Sequence, residues 1–283
     1  MNSQNNIFKR MLKAYPVKAL KDDFNLSGLK QDDLINDVLS SETNDSILSF
    51  GFRNFGYLHQ NLYVFDYSGT VPRVINIAGS TIIDDITTHN IREINLTFDI
   101  EYSLFNPQSA SQEVLIFRCP VKVIINNKHV IIRINILERN ANSYYSHKVF
   151  TIGKDIEDRN IISRIHTAFG LVVNLYPLDI TKGIKFLWED NFIDAAYVKF
   201  KKSRSTTTES MDEEHTLKDN YPDVYNEITT TPLDKNVFRV KRDVDDYINT
   251  FAVEPRKGKL AFKRFPFKVD SLEKLLDLII SNN

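Results

Sequence analysis

Alternating carboxylates are the residues of this chain whose spacing comes closest to a catalytic pattern. Metal-dependent nucleases place an acidic residue on one strand and another acidic residue two positions before a lysine on the next. Asp84 or Asp85 fits the first position, and Asp99 or Glu101 fits the second. The lysine is missing, because Asp99 is followed two positions later by Glu101, and Glu101 by Ser103. A metal-dependent nuclease with a degenerate site is therefore an alternative function, and a solvated sheet face explains the same acids.

The other residues that commonly catalyse reactions or bind metals form no motif. The six histidines lack the HxxxH, HxH and HExxH spacings that bring two imidazoles to one metal ion. Cys119 is the single cysteine, so thiolate zinc clusters and intramolecular disulfides are excluded, and we expect it to be a buried core residue. The nine glycines contain no GxGxxG or GxxxxGK[ST] phosphate-binding loop. The sequence favours a non-enzymatic protein, with no catalytic residue, metal or cofactor assigned.

Basic residues are clustered, although the chain as a whole has 36 Lys plus Arg against 37 Asp plus Glu. The first group, which we call the strand-end cluster, consists of Lys199, Lys201, Lys202 and Arg204. The second, the hairpin cluster, consists of Arg256, Lys257, Lys259, Lys263 and Arg264, with Lys268 close behind. No acidic residue interrupts positions 255 to 268, and Phe262, Phe265 and Phe267 lie among the cations. Basic side chains neutralise phosphates and aromatic rings stack on bases, so both clusters are candidate nucleic-acid-binding residues.

Two further functions from different classes fit these patterns. The leading hypothesis is a non-enzymatic protein that binds nucleic acid or another polyanion through the two clusters, within a larger assembly. The alternative is a protein-interaction or assembly subunit that binds no nucleic acid and docks a protein partner through its N-terminal helices. A β-hairpin with charged outer positions and phenylalanines inside has the same sequence pattern under either hypothesis. The ligand and the oligomeric state are left open.

Length and hydropathy set the broad class of the protein. A chain of 283 residues with 42% hydrophobic residues can bury a substantial core. No apolar stretch approaches the roughly 20 residues of a membrane-spanning helix, and the N-terminus lacks the apolar segment of a signal peptide. We therefore expect a cytoplasmic protein with no membrane partner.

The hydrophobic periodicity predicts an α+β fold. We expect a helical unit at 1–56, an antiparallel sheet with covering helices at 57–202, a polar and partly flexible segment at 203–236, and a hairpin with a terminal helix at 237–283. Predicted strands are Leu62–Tyr67, Val74–Ile77, Ile94–Leu104, Val114–Ile125, His129–Leu137, Ile193–Phe200, Val237–Val240, Phe251–Val253 and Leu260–Phe267.

Proline, asparagine and helix-capping residues indicate where these elements turn, begin or end. Pro120 indicates an edge or a bulge in its strand, and Asn126 with Asn127 offers the left-handed conformations of a tight turn. A long helix that begins at Asp158 is expected to cover the apolar face of the sheet. Thr181 to Trp188 is predicted to be a helix, and Asp270 with Glu273 resembles a capping box before the terminal helix.

Overall fold

The computed structural model describes residues 3–106, 111–137, 150–151, 154–170, 173–201, 206–210, 216–243 and 245–283. The helices in these ranges are α1 Ser3–Leu12, α2 Val17–Phe24, α3 Gln31–Ser41, α4 Asn44–Arg53, α5 Lys154–Phe169, α6 Thr181–Glu189, α7 Leu217–Asn220, α8 Pro222–Thr230 and α9 Ser271–Ser281. The strands are β1 Gln60–Ser68, β2 Ser80–Thr88, β3 Ile91–Asn106, β4 Ser111–Ile125, β5 His129–Asn135, β6 Phe150–Thr151, β7 Asn174–Pro177, β8 Ile193–Lys201, β9 Thr206–Ser210, β10 Leu233–Val240, β11 Thr250–Glu254 and β12 Lys259–Phe262. Helices combined with antiparallel strands confirm the α+β class.

The chain divides into two compact units, which we describe separately. Unit 1 contains residues 1–58 and 67–175, and unit 2 contains residues 59–66 and 176–283.

The sheet of unit 1 has the strand order β2-β3-β4-β5, and all its pairs are antiparallel. One face carries buried apolar rows, such as Leu96 opposite Val121, which lies opposite Ile134. Helix α5 contributes buried Ile161, Ile165 and Phe169 to this unit, and the Arg164 guanidinium lies 5.8 Å from the centroid of the Phe98 ring. The predicted covering helix is confirmed, although it begins at Lys154 and not at Asp158.

The opposite face of this sheet was expected to be wet, and that expectation is wrong for its central part. Asn95 and Thr97 of β3 are buried. Asn95 pairs with Lys122, which pairs with Arg133, and both of these cations lie over the ring of Phe55 from the N-terminal helical layer. A second layer of helices therefore converts the polar face into an interior surface, which the alternation alone does not reveal.

The N-terminal helices share one apolar core and also contact β4. Their core includes Leu12, Leu34 and Phe50. Arg10 of α1 donates from Nε to the carbonyl oxygen of Ile116 at 2.8 Å. Since β5 pairs only with Val121–Ile125 of β4, this carbonyl lies on a stretch of strand that β5 does not reach. Pro120 is the partner of Thr97 on β3 and lies one residue before the first β4 residue that pairs with β5, so it marks the end of that pairing and not an edge strand.

The turn predicted at Asn126 and Asn127 joins β4 to β5, where the Asn126 N–H donates to the His129 carbonyl oxygen at 3.0 Å, and a second tight turn of unit 1 was not predicted. His89 and Asn90, with φ of 49° and 67°, join β2 to β3. Asn126 has no left-handed backbone, and its Oδ1 instead accepts from the backbone N–H groups of Lys128 and His129. The strand predicted at Val74–Ile77 is not formed, and β2 was not predicted.

The sheet of unit 2 has the strand order β1-β12-β11-β10-β8-β9. Buried and partly exposed residues alternate along β10, β11 and β12, so one face is packed and the other is open. On the packed face, Trp188 of α6 contacts the rings of Tyr225 and Phe238 edge-on. Helix α6 also approaches α9 closely, since a Cβ on Gly183 would lie 2.1 Å from the Ile279 carbonyl oxygen.

Two predictions for the C-terminal part need correction. Residues 216–236 are folded, because they form α7, α8 and the start of β10, and Leu217 and Ile228 are buried. Residues 202–205 and 211–215 of the predicted polar segment lie outside the described ranges. Asp270 precedes α9 as predicted but makes no side-chain cap, since its carboxylate pairs with Lys274 at 3.0 Å instead.

Candidate nucleic-acid interface

The hairpin cluster begins in the tight connection between β11 and β12. Arg256 and Lys257 are exposed on a short 3-10 turn that ends at Gly258, whose φ is 57°. A Cβ at this glycine would lie 2.4 Å from the Val64 carbonyl oxygen and 2.7 Å from that of Leu178. Only glycine fits this close approach in the left-handed conformation, so the turn holds its two cations at a fixed place on unit 2.

Part of the positive charge is neutralised by neighbouring carboxylates. Glu254 pairs with Lys257 at 2.6 Å and with Lys259 at 3.6 Å. Burial acts to raise the pKa of Glu254, but the hydrogen bond from Lys257 and the charges of Lys259 and Lys235 lower it below its ordinary value. Lys268 pairs with Asp246. The net positive charge of the hairpin cluster is therefore smaller than its number of lysines and arginines indicates.

The loop after β12 presents aromatic rings beside cations. Leu260–Phe267 was predicted to be one strand, but β12 ends at Phe262, which is fully buried. Phe265 and Phe267 are 47% and 63% exposed, between the exposed residues Lys263, Arg264 and Lys268. Of these three phenylalanines, Phe262 lies in the core, Phe267 is mostly exposed, and Phe265 is partly exposed with its ring centroid 4.3 Å from that of His59. The prediction that aromatics interleave with basic residues at the surface applies to the loop.

Basic and aromatic residues also lie on one face of the unit 2 sheet. We call open face the partly exposed alternate positions of β1, β12, β11, β10 and β8. Tyr63 of β1 lies opposite Lys259 of β12, and the Lys259 ammonium is 5.4 Å from the centroid of the tyrosine ring. Tyr197 of β8 lies opposite Val237 of β10, whose own partner on β11 is Ala252. The open face therefore carries tyrosine rings, a cation and small side chains.

The strand-end cluster lies partly in the same sheet. Lys199 is the backbone partner of Lys235, and Lys201 at the end of β8 is the partner of Thr206. Three strand spacings separate β8 from β12, which places the backbones of Lys199 and Lys259 about 14 Å apart. Lys202 and Arg204 lie outside the described residues. The fold thus brings members of both basic clusters into one sheet, through β10 and β11.

The acids of the nuclease alternative do not converge. Asp85 forms an ion pair with Arg92 at 2.6 Å, and this hydrogen bond holds the pKa of Asp85 below its ordinary value. Asp99 pairs with Arg118 at 2.7 Å. Asp84 lies opposite Asn95, four residues along β3 from Asp99, which corresponds to about 13 Å. Throughout the part of the chain that the structure describes, no group of three or more His, Cys, Asp or Glu could hold a metal ion.

Two other side chains that could react, those of Cys119 and His166, contact backbone carbonyl oxygens. Cys119 is buried as predicted, and its thiol lies 3.7 Å from the Asn135 carbonyl oxygen. His166 lies in the last turn of α5, and its ring Nε2 is 3.0 Å from the carbonyl oxygen of Val173.

Sequence reasoning missed the residues that complete the open face. Tyr63, Tyr197 and Lys235 are single residues in short strands and belong to no charged run. Only the pairing of β1, β12, β11, β10 and β8 brings them together. The available signal was the period-two alternation around each residue, which marks them as sharing the solvent side of a strand.

Comparison with known proteins assigns no family. A scan against protein-family models finds no match, and a search of curated proteins finds none either. Within the described ranges, no helix is both long and apolar enough to cross a membrane.

Proposed function

We propose that this protein binds nucleic acid through the hairpin cluster and the loop that follows it. The observation that carries the proposal is the exposure of Phe265 and Phe267 beside Lys263 and Arg264. Exposed apolar groups that lie together and are rimmed by polar residues are typical of interaction sites. Phosphates supply the negative charge that such a surface attracts, and bases supply flat faces for the rings.

The exposure and pairing of the cations also support nucleic acid as the ligand. Arg256 and Arg264 are exposed, whereas Lys257 and Lys259 share Glu254. Arginine binds phosphate through a planar fork of donors and stacks on bases, so these two residues are well suited to the phosphate backbone. The protein is proposed to act as a binding protein without catalysis, since two carboxylates of the nuclease alternative, Asp85 and Asp99, are each paired with an arginine.

The test measures binding of labelled oligonucleotides by fluorescence anisotropy between 50 and 200 mM salt, about the range over which phosphate contacts are resolved. We expect Arg256→Gln with Arg264→Gln to weaken binding about tenfold and to reduce the salt slope by about 1.4 to 1.8, the value for two phosphate contacts. The matched control is Lys18→Gln with Lys30→Gln, which removes two exposed cations from unit 1. Equal affinity and slope in the arginine variant and the wild type would refute the proposal and favour the assembly role.

A further inference from the structure

The open face of the unit 2 sheet has the composition of a surface that binds an extended polymer. Its opposite face is filled by buried residues such as Leu62, Phe238 and Val253. The alternate positions Tyr63, Val237 and Ala252 are partly exposed. Hydrophobic and aromatic groups therefore lie on the solvent side of a sheet whose core is complete without them.

One row of paired residues crosses the centre of the open face. Tyr197, Val237, Ala252, Ala261 and Asn61 are successive partners across β8, β10, β11, β12 and β1. Four strand spacings make this row about 19 Å long. Three of its residues, Val237, Ala252 and Ala261, have small side chains and are partly exposed.

The adjacent row supplies the charge and a second ring. Tyr63 lies beneath the ammonium of Lys259, an arrangement in which the ring and the cation attract each other. Lys235 is exposed, and it and Lys259 both lower the pKa of the single carboxylate beside them, Glu254, so this row carries two cations against one carboxylate. A base that stacks on Tyr63 thus has a cation beside it for its phosphate. The loop with Phe265 and Phe267 follows β12 directly, and the Phe265 ring lies 4.3 Å from the ring of His59, which precedes β1.

We infer that the ligand is a single strand of nucleic acid that lies across the open face, with bases stacked on Tyr63 and Tyr197 and phosphates near Lys259 and Lys235. This inference rests on the proposed function and specifies its substrate class. In a duplex, each base face is already covered by its neighbours, so a surface that offers rings selects unpaired bases. Stacking accepts every base, which predicts weak sequence preference.

The experiment compares full-length wild type and variants on labelled single-stranded DNA and RNA and on a duplex of equal length, in the same salt. We expect either single strand to bind at least about tenfold more tightly than the duplex. Tyr63→Ala and Tyr197→Ala should each weaken single-strand binding by about fivefold to a hundredfold, the range for loss of one stacked base. Their salt slopes should equal that of the wild type, because no phosphate contact is removed.

Controls separate stacking from folding. Tyr63→Phe and Tyr197→Phe retain the rings and should rescue the affinity that the alanine variants lose. Tyr221→Ala removes an exposed tyrosine at the start of α8, outside the sheet, and should bind like the wild type. Loss of affinity in Tyr221→Ala equal to that in Tyr63→Ala would overturn the assignment of the open face.

The remaining outcomes distinguish this inference from the proposed function. If single strand and duplex bind equally and the tyrosine variants behave as wild type, while the arginine variant still weakens binding, the open-face inference fails and the proposed function stands. If no oligonucleotide binds, both fail. Binding to vesicles with about a third anionic lipid, without binding to oligonucleotides and lost in Phe265→Ala with Phe267→Ala, would replace both with membrane-surface recognition.

Discussion

The polar faces of the two sheets start from the same alternation and end in different surroundings. In unit 1, Asn95, Lys122 and Arg133 form one row beneath Phe55 of the helical layer. In unit 2, the positions typified by Lys259 stay partly exposed. Alternation determines which side chains share a face, whereas a covering layer elsewhere in the chain determines whether that face meets water.

The difference also explains how charges are arranged. Lys122 is 13% exposed and pairs with Glu93 at 2.8 Å, because a cation removed from water requires a partner. On the surface of unit 2, Arg256 and Arg264 are exposed and hydrated. The mostly buried lysine of unit 1 therefore lies beside a carboxylate, whereas the two exposed arginines of unit 2 keep their contact with water.

The largest expected effect tests the covered face of unit 1. Phe55→Ala removes the ring that lies over Lys122 and Arg133, and should lower the free energy of unfolding by about 3 to 5 kcal/mol. Urea denaturation followed by circular dichroism measures the change. Phe267→Ala removes the same side chain from a site that is 63% exposed, and should change stability by no more than about 0.5 kcal/mol. Similar costs for the two variants would abolish the distinction between the faces.

The next effect concerns a cation within the covered face. Arg133 is 1% exposed, and Arg133→Ala should cost about 3 kcal/mol, because the contact with Phe55 and the favourable charge near Glu93 are both lost. Lys235→Ala on the open face should cost less than about 0.5 kcal/mol. The same denaturation assay checks both, and a cost below about 1 kcal/mol for Arg133→Ala would show that the polar layer does not depend on this residue.

A third prediction compares the two faces of unit 2. Gly183→Ala should cost about 1 to 3 kcal/mol, because its Cβ would collide with the Ile279 carbonyl oxygen and force α6 from α9. Ala261→Ser adds one atom on the open face and should cost less than about 0.5 kcal/mol. Thermal melting of both variants measures the difference. If Ala261→Ser were less stable than Gly183→Ala, the open face would be packed and not exposed.

The smallest effect is a pH dependence at the hairpin. The pKa of Glu254 is lower in the folded chain than its ordinary 4.5, so its contribution to stability is present above about pH 4.5 and is lost as the pH falls through the lowered value. Glu254→Gln should flatten the stability profile below pH 5 by no more than about 1 kcal/mol, because solvent screens the pair. Denaturation at a series of pH values provides the comparison, and a profile unchanged by the substitution would contradict this role of Glu254.

Much of the secondary structure was predictable because local periodicity carried it. The strands around Phe98, Ile132 and Phe251 and the helix with Ile161 follow from apolar spacing alone. Strand β2 was missed because Asp84 and Asp85 interrupt its apolar pattern, and its formation depends on the His89–Asn90 turn and on pairing with β3. Helix α8 was missed because only its tertiary contacts bury Tyr225 and Ile228.

The candidate interface was predictable only where charge is contiguous. The run from Arg256 to Lys268 is visible in the sequence, but the sequence does not separate buried Phe262 from exposed Phe265. Lys199 and Lys259 lie in one sheet only because of the strand order, and this order arises from pairing between distant parts of the chain. No local pattern encodes such an order, because several orders satisfy the same alternation.

The hydrogen bond from Arg10 to the Ile116 carbonyl oxygen has a consequence for how the chain behaves before it is fully folded. A strand edge with unsatisfied carbonyls is a template on which a strand from another molecule can add. Helix α1 occupies that edge of β4 with a side chain that donates and cannot extend the sheet. Any intermediate in which β3 and β4 have paired before α1 docks would expose this edge, so the order of assembly in unit 1 governs how readily the chain aggregates during refolding.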